Sequence, residues 1–198
     1  MAKERIAIIV IHEIYGVNQH IKDVKVFLEK SGAAVYTPDL LSIEEPFAYS
    51  EEEKAYANFM ENVGFEKGAR QIERLIYQLK QQFDHVGIIG FSVGATIAWL
   101  CSTFHELSFA VCCYGSRIRS YTSIEPNCPV LLIFPAHEQS FDPEALIENL
   151  KQKRNEKITI QQFSGSHGFI DPYSDKYEAL AAEKALRLME SLFIGFVK

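Results

Sequence analysis

A serine between two glycines is the residue best placed to do chemistry in this chain. The segment Gly90-Phe91-Ser92-Val93-Gly94 follows an apolar run typical of a buried strand and opens a segment with helical periodicity. This is the G-x-S-x-G pattern of a nucleophile elbow. In so tight a turn only glycine fits beside the nucleophile, and the serine lies at a helix N-terminus, where the dipole stabilises developing negative charge. The sequence therefore predicts Ser92 as a nucleophile, with the Val93 N–H as one oxyanion donor.

A serine nucleophile needs a general base, and His167 is the predicted one. It follows the last predicted strand between small residues, after the nucleophile and after the expected acid, which is the chain order that an elbow serine requires. His12 and His137 lie near the expected site but in the wrong order. His20 and His105 are predicted to be solvated. The base is therefore assigned to His167.

The third member of such a triad is an acid that orients the histidine. Two candidates follow the predicted strand Pro129–Phe134, namely Glu138 and Asp142. Asp142 precedes Pro143 and Glu144, which together have the signature of a helix start, so it is accounted for as a helix N-cap. Glu138 has no such structural role. Glu138 is therefore the preferred acid, and Asp142 remains the alternative.

The loop after the first strand, His12–Asn18, is predicted to complete the site. A backbone N–H there, that of Ile14, is expected to be the second oxyanion donor. Glu13 would then lie within reach of the nucleophile, and we expect it, with Tyr15, to contact the nucleophile or bind substrate. An exposed loop acid is the alternative interpretation of Glu13.

These residues need a framework that brings distant loops together. Apolar, β-branched runs alternate with segments of helical periodicity. The predicted strands are Arg5–Ile11, Ala34–Pro38, His85–Gly90, Phe109–Tyr114, Pro129–Phe134 and Ile158–Phe163. The predicted helices are Val17–Lys30, Glu51–Met60, Phe65–Phe83, Val93–His105, Pro143–Arg154 and Asp175–Phe193. This alternation predicts a single α/β domain over residues 1–198, with a mostly parallel sheet, helices on both faces and a site at the carboxyl ends of the strands.

Composition narrows the possible partners and compartments. The chain has 198 residues, 47% of them hydrophobic, and a net charge of -6, which argues against nonspecific nucleic-acid binding. No apolar run approaches the ~20 residues of a membrane span. The pattern of a signal peptide is missing and the four cysteines have no metal-site spacing, so we expect free thiols and a cytoplasmic protein. The apolar tail Leu192–Val197 packs either on the core or on a second subunit, which leaves a homodimer open.

Taken together, these segments resemble the dienelactone hydrolase family of the α/β-hydrolase superfamily. The matching segments are His12–Asn18, Ile21–Asp23, Gly90–Gly94, Tyr114-Gly115, Pro129–Glu138, His167–Phe169, Tyr177 and Ala181–Glu183. The resemblance implies a triad of Ser92, Glu138 and His167, and a Glu13 that contacts the resting nucleophile. It also implies a minimal α/β-hydrolase fold, without the two strands that precede the first one in longer members.

Three departures from the family pattern bear on the chemistry. The best-known members carry Cys where this chain has Ser92, so activation by a general base should dominate. Their acid is usually Asp rather than Glu. Members that bind a dienelactone carboxylate use an Arg four residues after the histidine, where this chain has Asp171. We therefore expect a neutral, hydroxylated or amide-bearing acyl compound as substrate.

The predicted function is hydrolysis of a small carboxylic ester, lactone or thioester through a serine acyl-enzyme. No metal and no organic cofactor is expected. Two alternatives stay open. The same triad could transfer the acyl group to an acceptor other than water, as an acyl transferase, or act as a thioesterase. The scaffold could also be a non-catalytic binding module.

Overall fold

The structure is a computed structural model that describes residues 4–197. Six strands form one sheet in the order β2-β1-β3-β4-β5-β6, and every neighbouring pair is parallel. The strands are Glu4–Ile11 (β1), Ala34–Tyr36 (β2), Phe83–Phe91 (β3), Phe109–Cys113 (β4), Val130–His137 (β5) and Ile158–Ser166 (β6). The predicted α/β class with a parallel sheet is confirmed.

Helices cover both faces of the sheet. They are Gln19–Glu29 (α1), Glu52–Asn62 (α2), Phe65–Lys80 (α3), Val93–Cys101 (α4), Pro143–Gln152 (α5) and Ala179–Val197 (α6), with short 3-10 turns at Tyr49–Glu51 and Ser116–Ser120. Alternate residues of β1 show why both faces must be covered: Ile6, Ile8 and Val10 pack with α1 and α6, whereas Ala7, Ile9 and Ile11 pack with the other helices. A strand apolar on both sides is stable only between two helical layers.

The strand order fixes where a ligand binds. From β1 the chain goes outward to β2, then returns across the sheet to β3 on the other side of β1. The loops that follow β1 and β3 therefore diverge and leave a crevice at the carboxyl ends of these two strands, the usual ligand site of such sheets. The elbow serine follows β3, so the topology places it in that crevice.

Several predicted boundaries shift in the structure. β5 continues past Phe134 to His137, and β6 continues to Ser166, because these segments stay paired through a register irregularity between Pro135 and His137. The sequence predicts a last helix from Asp175, whereas the helix begins at Ala179 because hydrogen-bonded turns occupy the preceding residues.

The prediction that His20 is solvated is wrong. Its side chain is 2% exposed, and its ring packs edge-on against Phe91 at a centroid distance of 4.9 Å. The predicted exposure of His105 is correct. All four cysteines are free and buried, as predicted.

The C-terminal helix α6 packs on the core. Phe193 is fully buried and stacks on Phe109 at a centroid distance of 6.2 Å, and Phe196 stacks on the same ring at 5.8 Å. Of the two interpretations of the apolar tail, packing on the core is the one the structure shows for these two rings. Within residues 4–197, no helix combines the length and the apolar character that a bilayer span requires.

Candidate active site

The turn from β3 into α4 is a strained elbow that presents Ser92. Its backbone has φ 53° and ψ -113°, and its N–H donates to the Cys113 carbonyl at 2.9 Å. The flanking glycines are needed for space. A Cβ on Gly90 would lie 2.1 Å from the Gly94 carbonyl oxygen, and one on Gly94 would lie 2.4 Å from the Ile11 carbonyl oxygen. The helix thus begins against the end of β1, which holds the serine in the crevice.

Ser92, His167 and Glu138 form one hydrogen-bonded chain. His167 Nε2 lies 2.9 Å from Ser92 Oγ, and His167 Nδ1 lies 2.7 Å from Glu138 Oε1. The Glu138 side chain is 4% exposed and that of His167 is 31% exposed, so the acid is enclosed while the imidazole reaches the cavity. A proton on Nδ1 directed at the carboxylate leaves Nε2 free to accept the serine proton.

The alternative acid, Asp142, lies outside this chain. Its Oδ1 accepts the N–H of Glu144 at 2.9 Å, and Pro143 is the first residue of α5. Asp142 is therefore the N-cap of α5, as its sequence context suggests.

Two backbone amides are available for an oxyanion. Ile14 lies in the loop after β1, Val93 is the first residue of α4, and both side chains are buried in the wall of the cavity. Among the described residues, no loop carbonyl or side chain accepts the N–H of either residue. The N–H of Val93 also has no partner within its own helix, because the first turn of an α-helix leaves its donors free.

His12 is a structural residue of the loop after β1. It is 1% exposed; its Nε2 accepts the N–H of Leu40 at 3.0 Å, and its Nδ1 lies 2.5 Å from the backbone carbonyl of Glu13. Burial lowers the pKa of His12, so the ring is neutral. It joins the loop that carries Glu13 to the segment after β2.

Glu13 is a buried carboxyl group that faces the cavity. Glu13 is only 5% exposed and lines the cavity. Burial is the main cause that raises its pKa from 4.5 to about 7, and repulsion by Asp171 adds to the shift, while His167, Tyr114 and Lys176 oppose it. The Tyr114 hydroxyl is the side-chain donor that faces the Glu13 carboxyl group and lowers its pKa, although it falls short of full hydrogen-bond geometry.

Asp171, four residues after His167, is satisfied inside the protein. It is 1% exposed, its Oδ2 accepts the Tyr49 hydroxyl at 2.5 Å, and its Oδ1 accepts the N–H of Tyr173 at 2.9 Å. Asn18 Nδ2 donates in turn to the Tyr49 hydroxyl at 3.1 Å. Asp171 lines the cavity, as expected for the residue in this position, but Tyr49 and the N–H of Tyr173 satisfy its carboxylate. The sequence does not predict the roles of Tyr49 and Asn18 in this network.

One cavity of about 500 Å³ contains the site. Its walls carry charges of both signs. Glu13 lies beside Tyr15 and Tyr49 on the side toward β1, Arg117 and Arg119 lie on the side toward β4, and Lys176 also lines the cavity. Over residues 4–197, no group of three or more His, Cys, Asp or Glu side chains is arranged to hold a metal ion.

Comparison with known proteins agrees with this geometry. The sequence model of the dienelactone hydrolase family matches residues 2–196. The chain belongs to the dienelactone hydrolase family. It is 41% identical to the uncharacterized protein YczH of Bacillus subtilis (strain 168), over 93% of this chain and 90% of that protein. It is 27% identical to the human carboxymethylenebutenolidase homolog, over 83% of this chain and 70% of that protein.

The fold is that of the family as well. A crystal structure assigned to a dienelactone hydrolase from Klebsiella pneumoniae superposes with a TM-score of 0.80 at 21% identity, covering 98% of this chain and 88% of that one. The chain thus has an α/β-hydrolase fold in one domain with a six-stranded sheet. Family and neighbours together support an ester or lactone hydrolase.

Proposed function

We propose that this member of the dienelactone hydrolase family hydrolyses a small carboxylic ester, lactone or thioester through a serine acyl-enzyme. The observation that carries the proposal is the hydrogen-bonded chain from Ser92 Oγ through the imidazole of His167 to Glu138, with distances of 2.9 and 2.7 Å. Nucleophile, base and orienting acid come from three separate loops, after β3, β6 and β5. A merely structural serine needs no such alignment.

Acylation follows from this geometry. His167 Nε2 takes the proton of Ser92 as Oγ bonds to the carbonyl carbon of the substrate. The carbonyl oxygen becomes an oxyanion, which the N–H groups of Ile14 and Val93 stabilise; one such donor is typically worth ~3–4 kcal/mol. Glu138 stabilises the imidazolium without taking its proton. The imidazolium then protonates the leaving oxygen or sulfur as its bond to carbon breaks.

Deacylation repeats the steps with water. His167 removes a proton from the water molecule that attacks the acyl carbon, and the second oxyanion collapses as Ser92 leaves and recovers its proton. The products are the free acid and the regenerated serine.

The test is labelling with a fluorophosphonate, which reacts with activated serines whatever their natural substrate. We expect one adduct, mapped to Ser92, and its loss in Ser92→Ala and in His167→Ala. Ser102 is a buried control serine outside the cavity, and Ser102→Ala should label like the wild type. A folded wild-type protein without an adduct would contradict the proposal and favour a non-catalytic binding module.

Acyl transfer and hydrolysis share the acylation of Ser92, so the deacylation step distinguishes them. With an ester that is hydrolysed, added alcohol or amine competes with water for the acyl-enzyme. We expect free acid as the main product at moderate acceptor concentration. Predominant transfer would reassign the protein as an acyl transferase.

We also propose a cytoplasmic location. Four buried cysteines that form no disulfide suit a reducing compartment. Fractionation of cells that produce the native protein would test the location directly.

A further inference from the structure

Glu13 is an enclosed acid of the site whose carboxyl group has no well-aligned hydrogen-bond donor among the described residues. It is 5% exposed and faces the cavity that holds Ser92. The Tyr114 hydroxyl approaches its carboxyl group as a donor but falls short of full hydrogen-bond geometry. A buried carboxylate is costly unless a donor or a cation compensates it. The two other enclosed acids, Glu138 and Asp171, have such donors. A ligand in the cavity can therefore offer Glu13 a donor that the described protein groups do not supply in good geometry.

The surroundings of Glu13 favour a positively charged ligand group. The rings of Tyr15 and Tyr49 line the same side of the cavity and pack edge to face, with centroids 4.8 Å apart. Glu52 and Asp171 add negative charge around Tyr15. Carboxylates beside aromatic rings form a typical binding site for an ammonium group. The cations that act on Glu13 from the protein are His167, when protonated, and Lys176, which has the weakest influence.

The opposite side of the cavity would repel the same group. Arg117 and Arg119 follow β4, whereas Glu13 follows β1, and β3 with the nucleophile lies between them. Arg117 donates to the Tyr56 hydroxyl at 3.0 Å, and Arg119 lies over the Phe141 ring at 5.1 Å. Among residues 4–197, no carboxylate pairs with either arginine. A substrate cation is therefore expected to bind nearer to Glu13 than to the two arginines.

From this arrangement we infer that the preferred substrates are esters or thioesters of amino acids, whose ammonium group binds Glu13 beside Tyr15 and Tyr49. The inference rests on the proposed serine hydrolase and names its substrate class, a cationic acyl group in place of the neutral one expected from the sequence. Glu13 is then a specificity-determining residue that contacts the acyl part of the substrate.

Pairs of esters that differ only in one group test this class. Ethyl β-alaninate and ethyl butyrate have the same shape, with an ammonium in place of a methyl group, and ethyl glycinate and ethyl propionate form a second pair. Each kcat/KM is divided by the rate of the same ester with hydroxide, which corrects for inductive activation. We expect a corrected preference of at least tenfold for the amino ester in one pair. A ratio at or below one in both pairs would overturn the inference.

Two variants test whether Glu13 causes the preference for amino esters. Glu13→Gln keeps the shape and removes the charge, and we expect its amino-to-neutral ratio to fall toward one. Arg117→Gln is the control on the opposite side, and its ratio should stay equal or rise. Retention of the full preference in a folded Glu13→Gln protein would contradict the assignment. If that variant does not fold, competitive inhibition of ethyl butyrate hydrolysis by β-alaninamide, and none by butyramide at equal concentration, is the expected result for the wild type.

A third ester and the serine probe separate the possible failures. Monoethyl succinate carries a carboxylate where ethyl β-alaninate carries an ammonium group. Its preferred hydrolysis would place recognition at the arginines and refute the amino-acid class while leaving the hydrolase intact. Failure of fluorophosphonate labelling at Ser92, together with no hydrolysis of any ester, would refute the proposed function itself.

Discussion

Two enclosed glutamates face one cavity from the loops after different strands, and they have different roles. Glu138, after β5, lies 2.7 Å from His167 Nδ1. Glu13, after β1, faces only a poorly aligned donor in the Tyr114 hydroxyl among the described side chains, and burial raises its pKa to about 7. Both side chains are buried, so the two glutamates differ in whether a well-aligned hydrogen-bond partner is present. A carboxylate with a fixed partner positions another residue, and one without a partner is available to a ligand.

The largest expected effect is on Glu138. Glu138→Gln replaces an acceptor of the Nδ1 proton by an amide that can hold the wrong tautomer of His167. By analogy with such substitutions in other triads, kcat should fall by about 10³–10⁴ on any ester, with KM little changed. Steady-state kinetics on ethyl butyrate checks this.

The matched substitution on the other side is Glu13→Gln with the same neutral ester. A clearly smaller loss of kcat is expected there, because a methyl group makes no use of the Glu13 charge. Equal losses in the two variants would mean that Glu13 belongs to the machinery used for every substrate, and the distinction between the two glutamates would fail.

The pH dependence of stability distinguishes the two glutamates without any substrate. The folded-state pKa of Glu13 is raised from 4.5 to about 7, so folding binds a proton between these values and stability decreases as the pH rises through them. Glu13→Gln should therefore be more stable than the wild type above pH 7, by up to about 3 kcal/mol, and the gain should vanish below the unfolded-state pKa.

Urea unfolding at pH 4.5 and pH 8 measures this gain. Glu45→Gln, at an exposed position, is the matched control and should stay within about 0.5 kcal/mol of the wild type at both pH values. A Glu13→Gln protein that gains no stability at pH 8 would show that Glu13 has a compensating partner after all.

The elbow and the sheet could be predicted from the sequence because their causes are local. Gly90 and Gly94 are required by steric contacts within a few residues or with the adjoining strand end, and the alternation of strands and helices is a matter of periodicity. Chain order predicted His167, and chain order with the helix-start signature that accounts for Asp142 predicted Glu138. The structure brings His167 to Ser92 and Glu138 to His167.

The network around Asp171 could not be predicted, because its contacts are distant in sequence and its segment has no periodicity. Tyr49 lies 31 residues from Asn18 and 122 residues from Asp171, which are its two hydrogen-bond partners. His20 was expected in solvent for a similar reason, since its neighbours Phe91 and Asp171 come from other parts of the chain. The unpaired state of Glu13 is likewise a property of the assembled loops.

Tyr49→Phe would remove a hydrogen-bond donor from Asp171 and make this buried carboxylate more like Glu13. It deletes the donor to Asp171 Oδ2 and leaves a buried carboxylate with one fewer hydrogen bond. The expected cost is about 2 kcal/mol of unfolding free energy, measured in urea at neutral pH. Tyr56→Phe is the control, because its hydroxyl bonds Arg117 at an exposed position and should cost under about 0.5 kcal/mol. Equal costs would show that burial adds nothing to the value of this hydrogen bond.

The smallest expected effect concerns Asp142, the acid that shares a loop with Glu138. Asp142 is exposed and caps α5 through the N–H of Glu144 at 2.9 Å. Asp142→Ala should therefore lower the unfolding free energy by about 1 kcal/mol, and Asp142→Ser, which also caps, should restore most of it. Neither change should alter kcat for ethyl butyrate. A drop in kcat comparable to that of Glu138→Gln would mean that the loop can rearrange to offer His167 the other acid. An unchanged kcat would show that His167 depends on a carboxylate that is enclosed and already hydrogen-bonded, so proximity along the chain is not enough.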